Sequence, residues 1–280
     1  MQKSMKKYMA LFALPTIIAF TIAFLIPFLM GIYLSFTKFT TVTNAKWVGV
    51  DNYKRAFLNA DFVNAFLFTG KFTIVTVLTI NILAFALALL LTKGLRGTNL
   101  FRTVFFMPNL IGGIVLGYIW QLIINGILAK FSVDITYDAS YGFWGMVILM
   151  NWQLIGYMMI IYIAGIQNIP VELLEAAKID GAKPRQILSK ITIPLVMPSI
   201  TICTFLTLTN SFKLYDQNLA LTAGKPGRET SMLALDICNT FYNRNGWEGV
   251  GQAKAVIFFF MVAAIAVTQL VLTRRKEVEN

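Results

Sequence analysis

The stretch from Pro170 to Pro198 holds the densest set of residues that could do chemistry. It reads PVELLEAAKIDGAKPRQILSKITIPLVMP. Val171–Ile179 combines good helix formers with apolar Val171, Leu174 and Ile179 at helical spacing, and places small Ala176 and Ala177 beside them. Gly181 stands where a glycine closes a helix, and Arg185–Ile191 forms a second short amphipathic piece. The pattern predicts two short helices meeting at a sharp corner, a rigid protrusion. The alanines leave one face flat enough for another protein's groove, while Glu175 and Asp180 offer charge to a partner's arginine or helix N-terminus. The chemistry is recognition of a partner. A second set lies downstream. Thr204, Thr207, Asn210 and Ser211 are spaced three and four apart and share a helical face. With Tyr157 they could hydrogen-bond and stack on a hydroxyl-rich solute. The same residue types also tie helices together inside a bilayer, and both uses stand open here. Tyr118, Trp120, Gln121, Asn151 and Gln153 are further candidates.

Other chemistries are excluded. The chain has no histidine, and its two cysteines, Cys203 and Cys238, are far apart. Neither a metal site nor a dithiol centre nor a disulfide framework is expected. No G-x-x-x-x-G-K-[ST] phosphate loop occurs, Gly224-Lys225-Pro226 not being one. Catalytic residues, resident cofactors and bound metals are therefore all expected to be absent. The formal net charge of +11 could suggest nucleic acid, but the basic residues lie between apolar runs rather than along one stripe.

The elements that would position these residues follow from composition. Of 280 residues 57% are hydrophobic and 13% charged, against about 45–50% and about 25% in a soluble domain. A polytopic membrane protein is the class that fits. Charge-free runs long enough for a bilayer helix predict six spans, at about 9–35, 64–92, 103–127, 143–166, 195–215 and 253–273. The first apolar run exceeds a secretory h-region of about 7–15 residues, so it reads as an uncleaved helix. Short segments rich in Lys and Arg set the orientation. Lys3, Lys6, Lys7, Lys93, Arg96, Arg102, the loop 167–194 and the tail Arg274-Arg275-Lys276 would lie inside. Both termini are then cytoplasmic. The expected organisation is one transmembrane domain, 1–280, with a cytoplasmic loop at about 167–194. Lys71 reads as the single intramembrane charge, near enough to a span end to snorkel.

The string Glu175-Ala176-Ala177, Asp180-Gly181-Ala182, then Ile191, Pro194 and Pro198, matches E-A-A-x-x-D-G-A followed by I-x-x-P-L-x-x-P in full. It resembles the EAA loop of permease subunits of bacterial ABC importers. Asp51-Asn52-Tyr53, Phe101-Arg102-Thr103 through Met107-Pro108 to Trp120, Ala223 to Gly227 with Glu229-Thr230, and Gly251–Ala255 extend the likeness over nearly the whole chain. Lys225 stands where that family usually has glycine. The features are those of the carbohydrate branch, maltose-type and glycerol-3-phosphate-type, in its compact six-span form. The resemblance implies an all-α membrane protein with the type I ABC importer permease fold in the cell membrane. It implies a coupling helix in which Glu175 pairs with an ATPase subunit, Ala176 and Ala177 give close contact and Gly181 makes the corner, with Asp180 and Ala182 belonging to the same ATPase-coupling set. ATP and Mg would be held by two copies of that separate ATPase. A second permease, in a heterodimer, and an extracytoplasmic solute-binding protein would complete the assembly. By position relative to the EAA loop, Tyr157, Thr207, Asn210 and Ser211 fall on the sugar-contacting stretch of the maltose-type permease. A sugar or oligosaccharide is the implied cargo, with a glycerol-3-phosphate-like solute as alternative; the latter would favour cavity-facing arginines or lysines, and the sequence makes none evident. An ion-gradient-driven transporter is the competing class, and it calls for mid-membrane charges for ion coupling.

Overall fold

The computed structural model describes residues 13–94 and 96–274. The outermost positions of the first expected span, the expected inside residues Lys3, Lys6 and Lys7, and Arg275 and Lys276 lie outside the described residues. Among the described residues the regular structure is helical apart from one small hairpin. In order it forms α1 (Ala13–Ser35), the strands β1 (Thr37–Lys38) and β2 (Lys46–Trp47), α2 (Asp51–Phe57) and α3 (Ala60–Leu91). There follow α4 (Thr98–Phe106), α5 (Gly113–Leu128), α6 (Ala139–Gln167) and α7 (Val171–Ile179). The chain closes with α8 (Pro184–Leu195), α9 (Met197–Phe212), α10 (Asp216–Leu221), α11 (Leu233–Tyr242) and α12 (Glu248–Arg274). Among the described residues α1, α3, α5, α6 and α12 are long and apolar enough to cross a membrane, α5 counted to Phe131, and α8–α9, bent by 69°, passes the same length and apolarity test only when its two helices are taken together.

Two expected spans differ from their sequence reading. The run 103–127 is not one helix. α4 ends at Phe106, a 3-10 turn covers Met107–Leu110, Ile111 and Gly112 are extended, and α5 begins only at Gly113. Pro108 removes a donor and Gly112-Gly113 lowers helix propensity, so the helix breaks between them. The fifth expected span, 195–215, holds α9, but a further helix leads directly into it. α8 rises from Pro184 and turns by 69° at Val196 into α9, between Pro194 and Pro198. A π-helical turn at Leu188–Thr192 precedes Pro194, as another at Thr21–Leu25 precedes Pro27. In both places the widened turn lies just ahead of a ring that cannot donate and that crowds the preceding carbonyl.

The described chain gathers into two compact units. One runs to Phe62 and takes in Ile237–Phe259. Its hairpin is held by Asn52, whose Nδ2 donates to the carbonyls of Ser35 at 2.9 Å and Thr37 at 2.8 Å. Lys254 is fully buried there. Its Nζ donates to Thr240 Oγ1 at 2.8 Å and Asn59 Oδ1 at 3.1 Å, and lies 5.1 Å from the centre of the Phe62 ring. The expectation that Lys71 is the single charge in the spans therefore needs correction, because Lys254 sits inside α12. Lys71 itself is exposed, with Nζ 4.7 Å from the Phe143 ring centre.

The second unit spans Val63–Asp236 and continues from Phe260. α6 is its axis. Met146, Leu149, Met158, Met159 and Tyr162 are fully or almost fully buried and pack with Phe72, Ile80, Leu116 and Cys203. Flexible methionines fill the gaps between helices that cross unevenly. α6 also meets α4 at backbone distance. A Cβ at Gly156 would lie 1.8 Å from the Phe105 carbonyl oxygen, so only glycine fits.

Candidate functional site

A cleft of about 380 Å³ opens in the second unit. Met150, Gln153, Leu154 and Tyr157 face it from α6, at the i, i+3, i+4, i+7 spacing of one helical face. Asn210 comes from the last turn of α9, Lys213 and Leu214 from the exit of that helix, and Gln217 from α10. Asn109 comes from the 3-10 turn that the broken third span creates. Gln217 Nε2 donates to Gln153 Oε1 at 2.9 Å, which closes one wall. Asn210 Nδ2 donates back to the Leu206 carbonyl at 2.9 Å, leaving its oxygen as an acceptor. Neither the Tyr157 hydroxyl, the Asn109 amide nor the Lys213 ammonium is hydrogen-bonded to another described residue. The cleft thus presents acceptors, donors, one aromatic ring and one cation, with no carboxylate in its lining. Such a surface suits a hydroxyl-rich solute that is neutral or anionic and disfavours a cationic one.

The four expected substrate residues do not stay together. Tyr157 and Asn210 line the cleft. Thr207 and Ser211 are fully buried and turn to α3. Thr207 Oγ1 accepts from Asn81 Nδ2 at 3.3 Å and donates to the Cys203 carbonyl at 2.7 Å. Ser211 and Thr76 share a hydrogen bond of 2.9 Å, and Tyr162 donates to Asn81 Oδ1 at 2.6 Å. Residues 207 and 211 are one turn apart, so they hold one face. Position 210 is rotated about 60° away from 207 at 100° per residue, enough to carry its amide past the helix contact. Of the further candidates, Gln153 reaches the cleft, Gln121 bonds the Leu221 carbonyl at 2.9 Å and Trp120 packs edge-on to Trp152 at 5.6 Å. Asn151 donates to the Val147 carbonyl at 2.8 Å, and Tyr118 is exposed. Sequence reasoning missed Asn109, Lys213 and Gln217. Lys213 and Gln217 continue the four-residue step from Asn210 nearly enough to have been found, whereas Asn109 depends on a helix break.

The second candidate feature is α7 and its corner. No residue of α7 is buried, and Glu175 and Ala176 are exposed. Leu174 is the exception in direction, packing back against the core. Asp180 caps the helix, and Gly181 takes φ +77. The Gly181 N–H donates to the Lys178 carbonyl at 3.1 Å and the Ala182 N–H to the Ala177 carbonyl at 2.9 Å. Those two bonds are the Schellman closure, which needs a left-handed residue at the position after the cap. Lys183 N–H then donates to Gln186 Oε1 at 2.7 Å, starting α8 immediately. The result is a short helix on a rigid corner. Ile179 is 86% exposed at its tip.

Comparison with known proteins adds the family. Residues 80–277 match the model of the binding-protein-dependent transport system inner membrane component. The chain is 44% identical over 278 residues to the probable starch degradation products transport system permease protein AmyD of Thermoanaerobacterium thermosulfurigenes, covering 96% of this chain and 94% of that one. It is 29% identical to the multiple sugar-binding transport system permease protein MsmF of Streptococcus mutans, with 99% of each covered. Among solved structures, a chain of a bacterial ABC transporter that imports the acidic polysaccharide alginate superposes with a TM-score of 0.81 at 20% identity, covering 98% of both chains. The likeness bears out the expected all-α fold of an ABC importer permease.

Proposed function

The chain belongs to the binding-protein-dependent transport system inner membrane component family, and from that premise we propose that it is the permease that carries a sugar or oligosaccharide across the cell membrane in an ATP-driven importer. The relatives' cargoes, starch degradation products and multiple sugars, support that class of solute. The observation that carries the reading is the exposed α7 on its glycine corner, one chain segment away from the helices that build a polar cleft. α6, which ends just before α7, supplies Tyr157 and Gln153. α9, which follows α8, supplies Asn210.

The whole chain acts as one transmembrane domain with both termini on the cytoplasmic side. α7 and the corner, Glu175 to Ala182, seat in a cleft of an ATPase subunit, two copies of which hold ATP and Mg. This chain contributes no cofactor and no catalytic residue. A second permease forms a heterodimer with it, and a solute-binding protein delivers the cargo from outside. Closure of the ATPases moves α7 as a rigid body. The two backbone hydrogen bonds that close the Schellman corner tie α7 to the start of α8, so the corner passes the motion to α8, and the helices reorient about the cleft as in other rigid-body gating. Tyr157 offers a ring face and a hydroxyl to a sugar, and Asn109, Asn210 and Lys213 offer amide and ammonium groups. Thr207 and Ser211 keep α9 registered on α3, so their part in substrate binding is indirect.

Lys213 supports a second cargo, a solute bearing an anionic group such as a glycerol-3-phosphate-like molecule. The sequence reading finds no cavity-facing cation; the cleft has one.

The test is sugar-stimulated ATPase activity of the complete complex in proteoliposomes with its solute-binding protein. Gly181→Asp is strained at a positive φ that costs a β-carbon residue about 1 kcal/mol or more, and Glu175→Lys reverses the charge of an exposed contact. Both are expected to lose coupling while the chain still inserts. Wild-type transport that persists without any ATPase, with both variants normal, would overturn the reading in favour of a gradient-driven carrier.

A further inference from the structure

A second recess lies in the first unit, beside the hairpin. It measures about 240 Å³ and is lined by Lys38, Phe39, Thr40, Asn44, Lys46 and Gly246. Lys38 and Lys46 are direct cross-strand partners in the antiparallel register, so their side chains leave the same face with Cβ atoms about 5 Å apart. Like charges placed directly opposite destabilise a strand pair. Here nothing relieves them: among the described residues neither lysine has an ion pair or a hydrogen bond. The hairpin does not need them for closure either. Thr40 and Thr41 both donate their N–H groups to Asn44 Oδ1, at 3.0 and 3.1 Å, and Asn52 fixes the base. Two uncompensated cations are thus held in register at the mouth of a small recess, which has room for an oxyanion and several waters at about 30 Å³ per water.

The surroundings say where that oxyanion comes from. β1 begins two residues after the end of α1. Tyr33 in the last turn of α1 and Trp47 in β2 are 54% and 64% exposed, with ring centres 6.0 Å apart. Trp47 also stacks on Phe36 at 5.4 Å. Exposed Tyr and Trp at the end of a membrane-spanning helix mark the depth of the lipid headgroups, and lysine stems reach that depth with the ammonium in the polar layer.

We propose that the facing Lys38–Lys46 pair is a binding site for the phosphate of an anionic phospholipid, which fixes the hairpin to the membrane surface. This does not depend on the cargo or on ATPase coupling. The lipid phosphate completes the strand pair by neutralising the repulsion, and the Tyr33–Trp47 cluster sets the depth at which it is met.

The full-length chain in detergent micelles is titrated with phosphatidylglycerol, with zwitterionic phosphatidylcholine and with inorganic phosphate, bound lipid being counted by native mass spectrometry. Wild type should prefer phosphatidylglycerol over phosphatidylcholine. The double variant K38Q/K46Q should bind phosphatidylglycerol about thirtyfold more weakly, the loss expected for two basic residues at an anionic surface. K38R/K46R should bind as wild type, and K54Q, an exposed lysine of α2, should change little. Thermal unfolding of each variant checks that it is folded. Undiminished phosphatidylglycerol binding in folded K38Q/K46Q, or an equal loss in K54Q, would overturn the site. Displacement of the lipid by inorganic phosphate at equal concentration would overturn the lipid as its source.

Discussion

α6 and α9 each have one face that packs and one that opens into the cleft, and the two faces carry similar side chains. On α9, Thr207 and Ser211 are small hydroxyl residues bonded to Asn81 and Thr76 of α3, while Asn210, between them in sequence, lines the cleft. On α6, Gly156 meets the backbone of Phe105 and Phe106, and its neighbour Tyr157 faces the opening. The difference lies in what stands opposite. A hydroxyl facing another helix in a bilayer finds a partner there and becomes a register pin. The same group facing a water-filled cleft keeps its hydrogen-bonding capacity for a solute. Polarity in a span therefore marks two jobs, and only the neighbour tells them apart.

The largest effect should come from the packed face. Gly156→Ala places a carbon against a backbone oxygen that cannot move without shifting α4, and should cost about 3 kcal/mol or more. Thermal unfolding in detergent should show the loss. Gly70→Ala, with nothing within 4 Å of the added carbon, should show none. Equal behaviour of the two would mean that α4 and α6 are not packed as described.

The cleft face should respond in transport and not in stability. Asn210→Ala and Tyr157→Phe each remove one hydrogen-bonding group from the cleft, and each should lower transport about three- to tenfold, as expected for one hydrogen bond. Their unfolding temperatures should stay at the wild-type value. A variant that unfolds early with normal transport would place its residue on the packing side instead.

Thr207→Val is the mirror experiment. It forfeits the bond from Asn81 and should cost about 0.6 kcal/mol, the average for such interhelical bonds, with the concentration dependence of transport unchanged. A change in apparent sugar affinity without a change in stability would turn Thr207 into a binding residue.

The smallest effect concerns the start of α6. Asp138 accepts the Ser140 N–H at 2.7 Å. That bond, chiefly from the backbone, holds the Asp138 carboxyl below its ordinary value of 3.8. Its stabilising share is complete above the ordinary value and fades as pH falls through the lower value of the folded state. Asp138→Asn keeps a capping acceptor and should remove this part of the acid sensitivity, seen as a flatter unfolding temperature against pH in the acid range. An unchanged acid slope would mean that Asp138 does not cap α6 in solution.

The corner after α7 was nearly all legible beforehand. Val171–Ile179 has the predicted bounds, and Gly181 takes the left-handed conformation expected of it. Everything there is local: helix propensity, a short apolar stripe, and one residue without a β-carbon. The cleft was half legible. Tyr157 and Asn210 were among the expected residues, but Asn109 reaches the cleft only because Pro108 and Gly112 break a span that reads as continuous. Lys254, at the edge of an expected span, gave no sign that it would be fully buried, since its partners Asn59 and Thr240 are remote in sequence.

By itself, then, the sequence determined a multi-span membrane helix protein and a rigid EAA corner, because apolar run length and the backbone preferences of glycine and proline act within a few residues. Only the tertiary structure decided which polar side chains face the cleft and which pin α9 to α3. A rotation of about 60° around the helix separates those fates, and the neighbours that settle it, Asn81 and Thr76 on one side and Gln153 and Gln217 on the other, are brought together only by the packing of helices far apart in the chain.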